Sequence, residues 1–120
     1  MKPWIAALAC ALWSGLSVAQ EFPSRPVRLV VPFPPGGSTD IVARAIQPGL
    51  AQRLGQPVVI EHKPGAGSSI GLEMVARSPA DGHTIVLVSP NVVVNPHLYK
   101  LSFDPMKDLT PVTMAVQSFY

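Results

Sequence analysis

The fold of this chain is constrained most by a short junction between an apolar run and an amphipathic run. Val27–Val31 is β-branched and nearly all apolar, which predicts a strand buried on both faces, as in a parallel sheet. The stretch from Phe33 to Asp40 carries two prolines and then two glycines before a helical pattern begins at Ser38. Prolines keep the chain extended, and glycines allow a turn whose backbone N–H groups no side chain shields. The junction predicts a strand–turn–helix unit with an anion cradle at the helix N-terminus, and an ordinary connecting loop is the alternative.

The helical pattern runs from Ser38 to Leu54. Apolar residues recur along it at four-residue spacing and polar residues fall on the other side, which indicates a helix that packs on a core. Ser38 is the expected N-cap, and Gly55 is expected to end the helix. Pro48 lies inside this pattern and predicts a kink or a split there.

The same alternation repeats along the chain. A second strand is predicted at residues 57–61, then a helix capped by Ser68 or Ser69, and a third strand at 84–88. Residues 92–101 are compatible with a helix broken by Pro96, and residues 109–116 resemble a fourth strand. The β-α-β-α-β order predicts a parallel sheet with right-handed crossover helices.

The predicted sheet also predicts where a ligand would bind. If the strand order is 2-1-3, the switch point lies between the first and third strands, and ligands of such sheets bind outside the carboxyl ends of the strands there. The loops at residues 33–40 and 89–91 meet at that point, and the loop at residues 64–69 lies alongside. This topology favours the anion cradle over an ordinary connecting loop.

The first 19 residues predict an export signal. A basic start is followed by an uncharged apolar run and by the small residues Ser17, Val18 and Ala19, so cleavage is expected after Ala19. The only cysteine, Cys10, lies within this segment, so no disulfide or cysteine ligand is expected in the remaining unit, residues 20–120. A formal net charge of +2 gives no indication of nucleic-acid binding.

Two enzyme interpretations are weaker. Gly65, Gly67 and Gly71 approach a dinucleotide-binding fingerprint, but the third glycine is one residue late and no acid follows the third strand. An NAD(P)-binding oxidoreductase fragment is therefore kept as the alternative function. Ser69 lies in a nucleophile-elbow pattern that no strand enters directly. The three histidines show no metal-ligand spacing, and neither catalysis, a cofactor nor a metal is predicted.

Four motifs in order resemble those of the Bug-type receptors, the periplasmic solute-binding proteins of tripartite tricarboxylate transporters. They are Phe33-Pro34-Pro35-Gly36-Gly37 with Asp40 and Arg44, then Pro57-Val58-Val59-Ile60-Glu61 with Pro64-Gly65-Ala66-Gly67, then Asp81-Gly82, and finally Leu109-Thr110-Pro111-Val112. The likeness covers Pro23 to about Val116. The chain departs from the family pattern at His62, Ser68 and His83, which stand where Asn, Gly and Tyr are usual.

The resemblance implies an α/β fold, with this chain the incomplete first lobe of a two-lobed periplasmic-binding-protein-like structure. We therefore expect an N-terminal fragment or truncated gene product that is marginally stable and binds ligand poorly by itself. The implied function is capture of a small carboxylate (a di- or tricarboxylate, an aromatic acid or an acidic amino acid) in the periplasm. The implied partners are the membrane subunits of the transporter, and a full-length monomer is expected.

Backbone N–H groups of two loops are predicted to donate to the carboxylate, with nearby side chains orienting it. The predicted ligand-binding residues are Phe33, Gly36, Gly37, Ser38, Thr39, Asp40, Ala66, Gly67, Ser68, Ser69, Ser89 and Asn91. Simpler roles remain open: Ser38 as a cap, Phe33 in the core and Asn91 in a turn. Asp40 is predicted to be structural, through Arg44 or the loop, and contact with a ligand amine is the alternative.

Overall fold

The protein is an α/β structure built on a three-stranded parallel sheet. A computed structural model describes residues 21–117, so the predicted signal peptide and the last three residues lie outside the described part. The elements are β1 (Val27–Val31), α1 (Ser38–Leu54), β2 (Val58–His62), a 3₁₀ turn (Ala66–Ser68), α2 (Ser69–Ala76), β3 (Thr84–Val86), α3 (Asn91–Leu98) and α4 (Pro105–Asp108). The order of strands and crossover helices is the one that the sequence predicts.

The sheet has the order β2-β1-β3, and both pairs are parallel. Val27 pairs with Val58, and Arg28 pairs with Thr84. Hydrogen bonding continues beyond the strand ends, because Lys63 N donates to Val31 O and Leu87 N donates to Val30 O, each at 2.9 Å. The predicted strand order is confirmed, which places the switch point between β1 and β3.

The core surrounds β1, whose apolar residues are fully buried. Val27, Leu29 and Val31 form a cluster with Ala43 of α1 on one side of the sheet. On α2, Leu72 is also fully buried. Because β1 is the central strand and is covered on both faces, its carboxyl end is held firmly where the first glycine loop begins.

Several local predictions need correction. Gly37 rather than Ser38 occupies the N-cap of α1, and no side chain caps that helix. Ser68 occupies the N-cap of α2 in a left-handed conformation that also leaves its side chain out of the cap. Helix α1 is not split at Pro48, and α3 continues through Pro96, because packing holds a helix together when one backbone hydrogen bond is missing.

The predicted fourth strand is wrong within the described residues. Residues 110–117 follow α4 as an irregular segment, and Val112 is 84% exposed. The apolar pattern suits a strand, but a strand needs a hydrogen-bonded neighbour, and residues 110–117 pair with none of the three described strands. Among residues 21–117, no helix combines the length and apolar character needed to cross a membrane.

Gly55 ends α1 as predicted, with φ of 66° and its N–H donating to Ala51 O. A Cβ at this position meets no other atom within 4 Å, so any penalty comes from the backbone conformation alone. We expect Gly55→Ala to lower the free energy of unfolding by about 1 kcal/mol, measured by urea denaturation. An unchanged urea midpoint would show that alanine is accommodated at the end of α1 without loss of stability.

Candidate functional site

A cavity lies at the carboxyl edge of the sheet, at the switch point. Its volume is about 310 Å³, which is the lower end of the range for small-molecule sites. The lining residues are Phe33, Pro34, Gly37, Ser38, Thr39, Ser89 and Asn91. The loops after β1 and β3 therefore meet as predicted, and no lining residue is charged.

The N-terminus of α1 supplies backbone donors to this cavity. Among the described residues, the N–H groups of Ser38 and Thr39 have no hydrogen-bond partner, because they precede the first helical bond, which runs from Ile41 N to Gly37 O. The N–H of Gly37 instead closes the turn over Pro35 and Gly36. Unpaired N–H groups at the positive end of a helix dipole attract negative charge. The hydroxyl of Ser89 donates to Asn91 Oδ1, which leaves the Asn91 amide group as a further donor at the same cavity.

The predicted set of free amides is too large. Gly36 N donates to the Asp40 carboxylate at 2.9 Å, so it is occupied within the loop. In the second loop, Ser68 N donates to Gly65 O and Ser69 N donates to Ala66 O. Tight turns form hydrogen bonds with their own backbone N–H groups in this way. The composition of a loop does not show which of its N–H groups are used.

Asp40 stabilises the first glycine loop through hydrogen bonds of its buried carboxylate. It is only 3% exposed, and its Oδ2 accepts hydrogen bonds from Gly36 N (2.9 Å) and Arg44 Nε (3.0 Å). His62, at the end of β2, donates from Nε2 to Asp40 Oδ1 at 2.8 Å. One carboxylate thus joins the turn, the first two turns of α1 and the neighbouring strand. The pair with Arg44 exists, but Asp40 itself is buried rather than on the surface.

These donors stabilise the charged form of Asp40. The Gly36 N–H, then the Arg44 guanidinium and His62, lower the pKa of Asp40 from 3.8 to about 2. A carboxylate with a lowered folded-state pKa stabilises the fold above its unfolded pKa, and this contribution is lost as the pH falls through the folded pKa. The relevant window is therefore between about pH 4 and pH 2.

We expect the stability difference between wild type and Asp40→Asn to shrink as the pH falls through this window. Urea midpoints of both proteins at pH 7, 5, 4, 3 and 2.5 measure it. The difference should be constant above about pH 5 and smallest at pH 2.5. A difference that is the same at every pH would show that the charge of Asp40 contributes nothing to the folded state.

The second glycine loop lies outside this cavity. Ser68 and Ser69 are buried, and their hydroxyl oxygens lie 3.2 and 3.3 Å from Asn95 Nδ2, which also donates to Gly67 O at 2.6 Å. Ala66 and Ser68 have φ of 45° and 84°, a left-handed conformation that costs an ordinary residue about 1–2 kcal/mol. The loop is therefore strained and is held by α3, and of its four predicted ligand-binding residues Ala66 and Gly67 are exposed.

Three residues of this edge were not predicted as part of the site. Pro34 lines the cavity, and the prolines of the first loop were interpreted only as spacers. No role is predicted for His62, because the histidines lack metal-ligand spacing, and no motif includes Asn95. A histidine directly after a buried strand, and an asparagine one helical turn after Asn91, are the signals that were available.

A second cavity, of about 450 Å³, lies near the amino end of β3. Asp81 accepts from His83 N (3.0 Å) and from Arg25 Nη2 (2.8 Å), which lower its pKa to about 2. His83 Nε2 accepts from Ser24 N, and its ring packs edge-on against Phe22. These contacts attach the segment before β1 to the turn before β3, away from the switch point.

The parallel sheet and its switch-point cavity define the class of structure, an α/β ligand-binding lobe. The model of the tripartite tricarboxylate transporter family receptor matches residues 42–119. The chain belongs to that receptor family, as its four motifs predict.

Relatives and solved structures agree with this assignment. A UPF0065 protein of Bordetella pertussis is 43% identical over 124 residues, which cover 96% of this chain and 38% of the relative. MatC from Rhodopseudomonas palustris, solved with bound malate, is 43% identical with a TM-score of 0.67 over 76% of this chain and 32% of MatC. A second R. palustris protein, solved with adipate, is 42% identical with a TM-score of 0.57 over 59% of this chain and 24% of its own. This chain therefore spans about a third of the length of these proteins.

Proposed function

We propose that this protein is an extracytoplasmic receptor that captures a small carboxylate for a tripartite tricarboxylate-type transporter. One observation carries the proposal: an uncharged cavity at the switch point is lined by Ser38 and Thr39, whose N–H groups have no hydrogen-bond partner among the described residues. Amides that no cationic side chain accompanies suit a carboxylate that must be bound reversibly. Family membership supports transport rather than catalysis.

The small number of backbone donors at this cavity limits the affinity for a carboxylate. A hydrogen bond to a charged group contributes about 1.5–3 kcal/mol, so the two amides of Ser38 and Thr39 contribute roughly 3–6 kcal/mol. A micromolar complex needs about 8 kcal/mol after the costs of association and ordering. Tight binding therefore requires further contacts, from the Asn91 side-chain amide at the same cavity, from bridging water or from additional protein.

The ligand class follows from the relatives and from the cavity. MatC was solved with malate and a second neighbour with adipate, and both ligands are dicarboxylates. In this protein, Thr39, Ser89 and Asn91 offer polar groups near the amides, and Phe33 offers an apolar surface for the carbon chain. We assign a dicarboxylate or a related small acid, with one carboxylate on the N-terminus of α1.

The proposal includes a periplasmic location, cleavage of the signal peptide after Ala19 and transporter membrane subunits as partners. Neither nucleic acid nor a cofactor takes part. N-terminal sequencing of the exported protein tests the cleavage, and a first residue of Gln20 is the expected result. Size-exclusion chromatography with light scattering tests the expected monomer.

Ligand binding is tested on the protein expressed from its natural coding sequence. A thermal-shift screen against malate, adipate, aromatic acids and acidic amino acids, followed by calorimetry, should find a saturable carboxylate ligand. The diamide of the best ligand, matched in shape but uncharged, is the control and should not bind. No response to any acid, together with a fluorescence change on adding reduced nicotinamide cofactor, would favour the oxidoreductase alternative instead.

A further inference from the structure

Asn95 is a buried polar residue in the middle of α3, and its side chain contacts the second glycine loop. It is 3% exposed, and its side-chain amide group donates to Gly67 O and contacts the hydroxyls of Ser68 and Ser69. Asn91, one helical turn earlier, lines the cavity. Helix α3 thus carries a cavity residue in its first turn and an anchor in its second.

The second glycine loop is the part of the structure to which Asn95 attaches α3. Gly67 and its neighbours hold a left-handed backbone that persists only when the surroundings fix it. The Asn95 amide fixes the Gly67 carbonyl, and the Tyr99 ring lies so close that a Cβ built on Gly67 would be 3.1 Å from it. Asn95 of α3 and Tyr99, which directly follows the helix, therefore hold one strained loop.

We propose that Asn95 is a positioning residue of the ligand site, which acts through α3 on Asn91. The inference rests on the proposed function, whereas the contacts of Asn95 that support it involve no ligand. The second glycine loop contributes to the site by fixing the helix that carries Asn91. Loss of the Asn95 amide releases α3 and moves Asn91 and Ser89 relative to the amides of α1.

The test compares Asn95→Ala with Ser78→Ala in the protein expressed from its natural coding sequence. Ser78 donates to Met74 O at the end of α2, so its removal also deletes a side-chain hydrogen bond, at a site remote from the cavity residues in the chain. Without ligand, amide NMR signals of residues 89–92 should shift in Asn95→Ala and stay unchanged in Ser78→Ala. With the carboxylate found by the screen, affinity should fall at least tenfold in Asn95→Ala and less than twofold in Ser78→Ala.

A double-mutant cycle with Asn91→Ala separates positioning from general loss of stability. If Asn95 acts through Asn91, the affinity loss from Asn95→Ala should fall by more than half when Asn91 is already alanine. Fully additive losses, or unchanged signals at residues 89–92, would overturn the proposal. If Asn95→Ala does not fold, Tyr99→Ala removes the other contact to the loop from a half-exposed position and should shift the same signals. A wild type that binds no carboxylate while these signals still shift would reject the proposed function alone.

Discussion

Replacing Gly71 with alanine is expected to lower the free energy of unfolding by about 2–3 kcal/mol. Gly71 lies inside α2, where alanine ordinarily stabilises a helix. A Cβ at this position, however, would lie 2.7 Å from Pro32 Cβ and 2.9 Å from Lys63 O. Both neighbours lie just beyond the carboxyl ends of paired strands, and one contact is backbone, so the clash is relieved only by moving α2 away from the sheet.

The matched control is Gly49→Ala in α1. Gly49 is also inside a helix, but a Cβ there meets no other atom within 4 Å. This substitution should raise the free energy of unfolding by about 0.5–1 kcal/mol. Chemical denaturation of the three proteins measures both effects, and the same sign for both variants would contradict the close packing of α2 against Pro32.

Asp40→Asn is expected to lower affinity for every carboxylate ligand by at least tenfold. The carboxylate of Asp40 accepts from Gly36 N, Arg44 and His62 at once, and an amide cannot accept from all three with the same strength. The turn that presents Gly37, Ser38 and Thr39 should then loosen. Calorimetry with ligands that carry and lack an amine measures the loss.

Asp81→Asn is the matched control for this prediction. Asp81 also has a pKa near 2, and it also accepts from a backbone N–H and an arginine, but it lies near the amino end of β3. Its replacement should reduce stability and leave affinity within twofold of wild type. If Asp40→Asn weakens only amino-acid ligands, Asp40 contacts the ligand amine and its structural role is wrong.

The sequence predicts the topology of this protein because two simple patterns determine it. Buried β-branched runs alternate with amphipathic runs of crossover length, and parallel strands joined by right-handed crossovers leave few arrangements. The meeting of the loops after β1 and β3 follows from that order, and the shared cavity confirms that they meet. The residue pattern alone therefore predicts that the loops carrying Phe33, Ser89 and Asn91 meet.

The sequence could not predict where individual amides and side chains bond. Ser68 and Ser69 look like loop hydroxyls, but a left-handed turn directs them to Asn95, which is far away in sequence. Gly36 seemed a free donor, but the buried Asp40 carboxylate occupies it. Such contacts depend on tertiary packing, which periodicity does not record.

Titration of the isotope-labelled protein with malate or adipate, followed by amide NMR, tests the central claim most directly. The account predicts saturable shifts of the Ser38 and Thr39 amide protons to lower field, as expected when an N–H group binds an anion, while the amides of Asp81 and His83 stay unchanged. Saturable binding that leaves both of these α1 amides unmoved would contradict it.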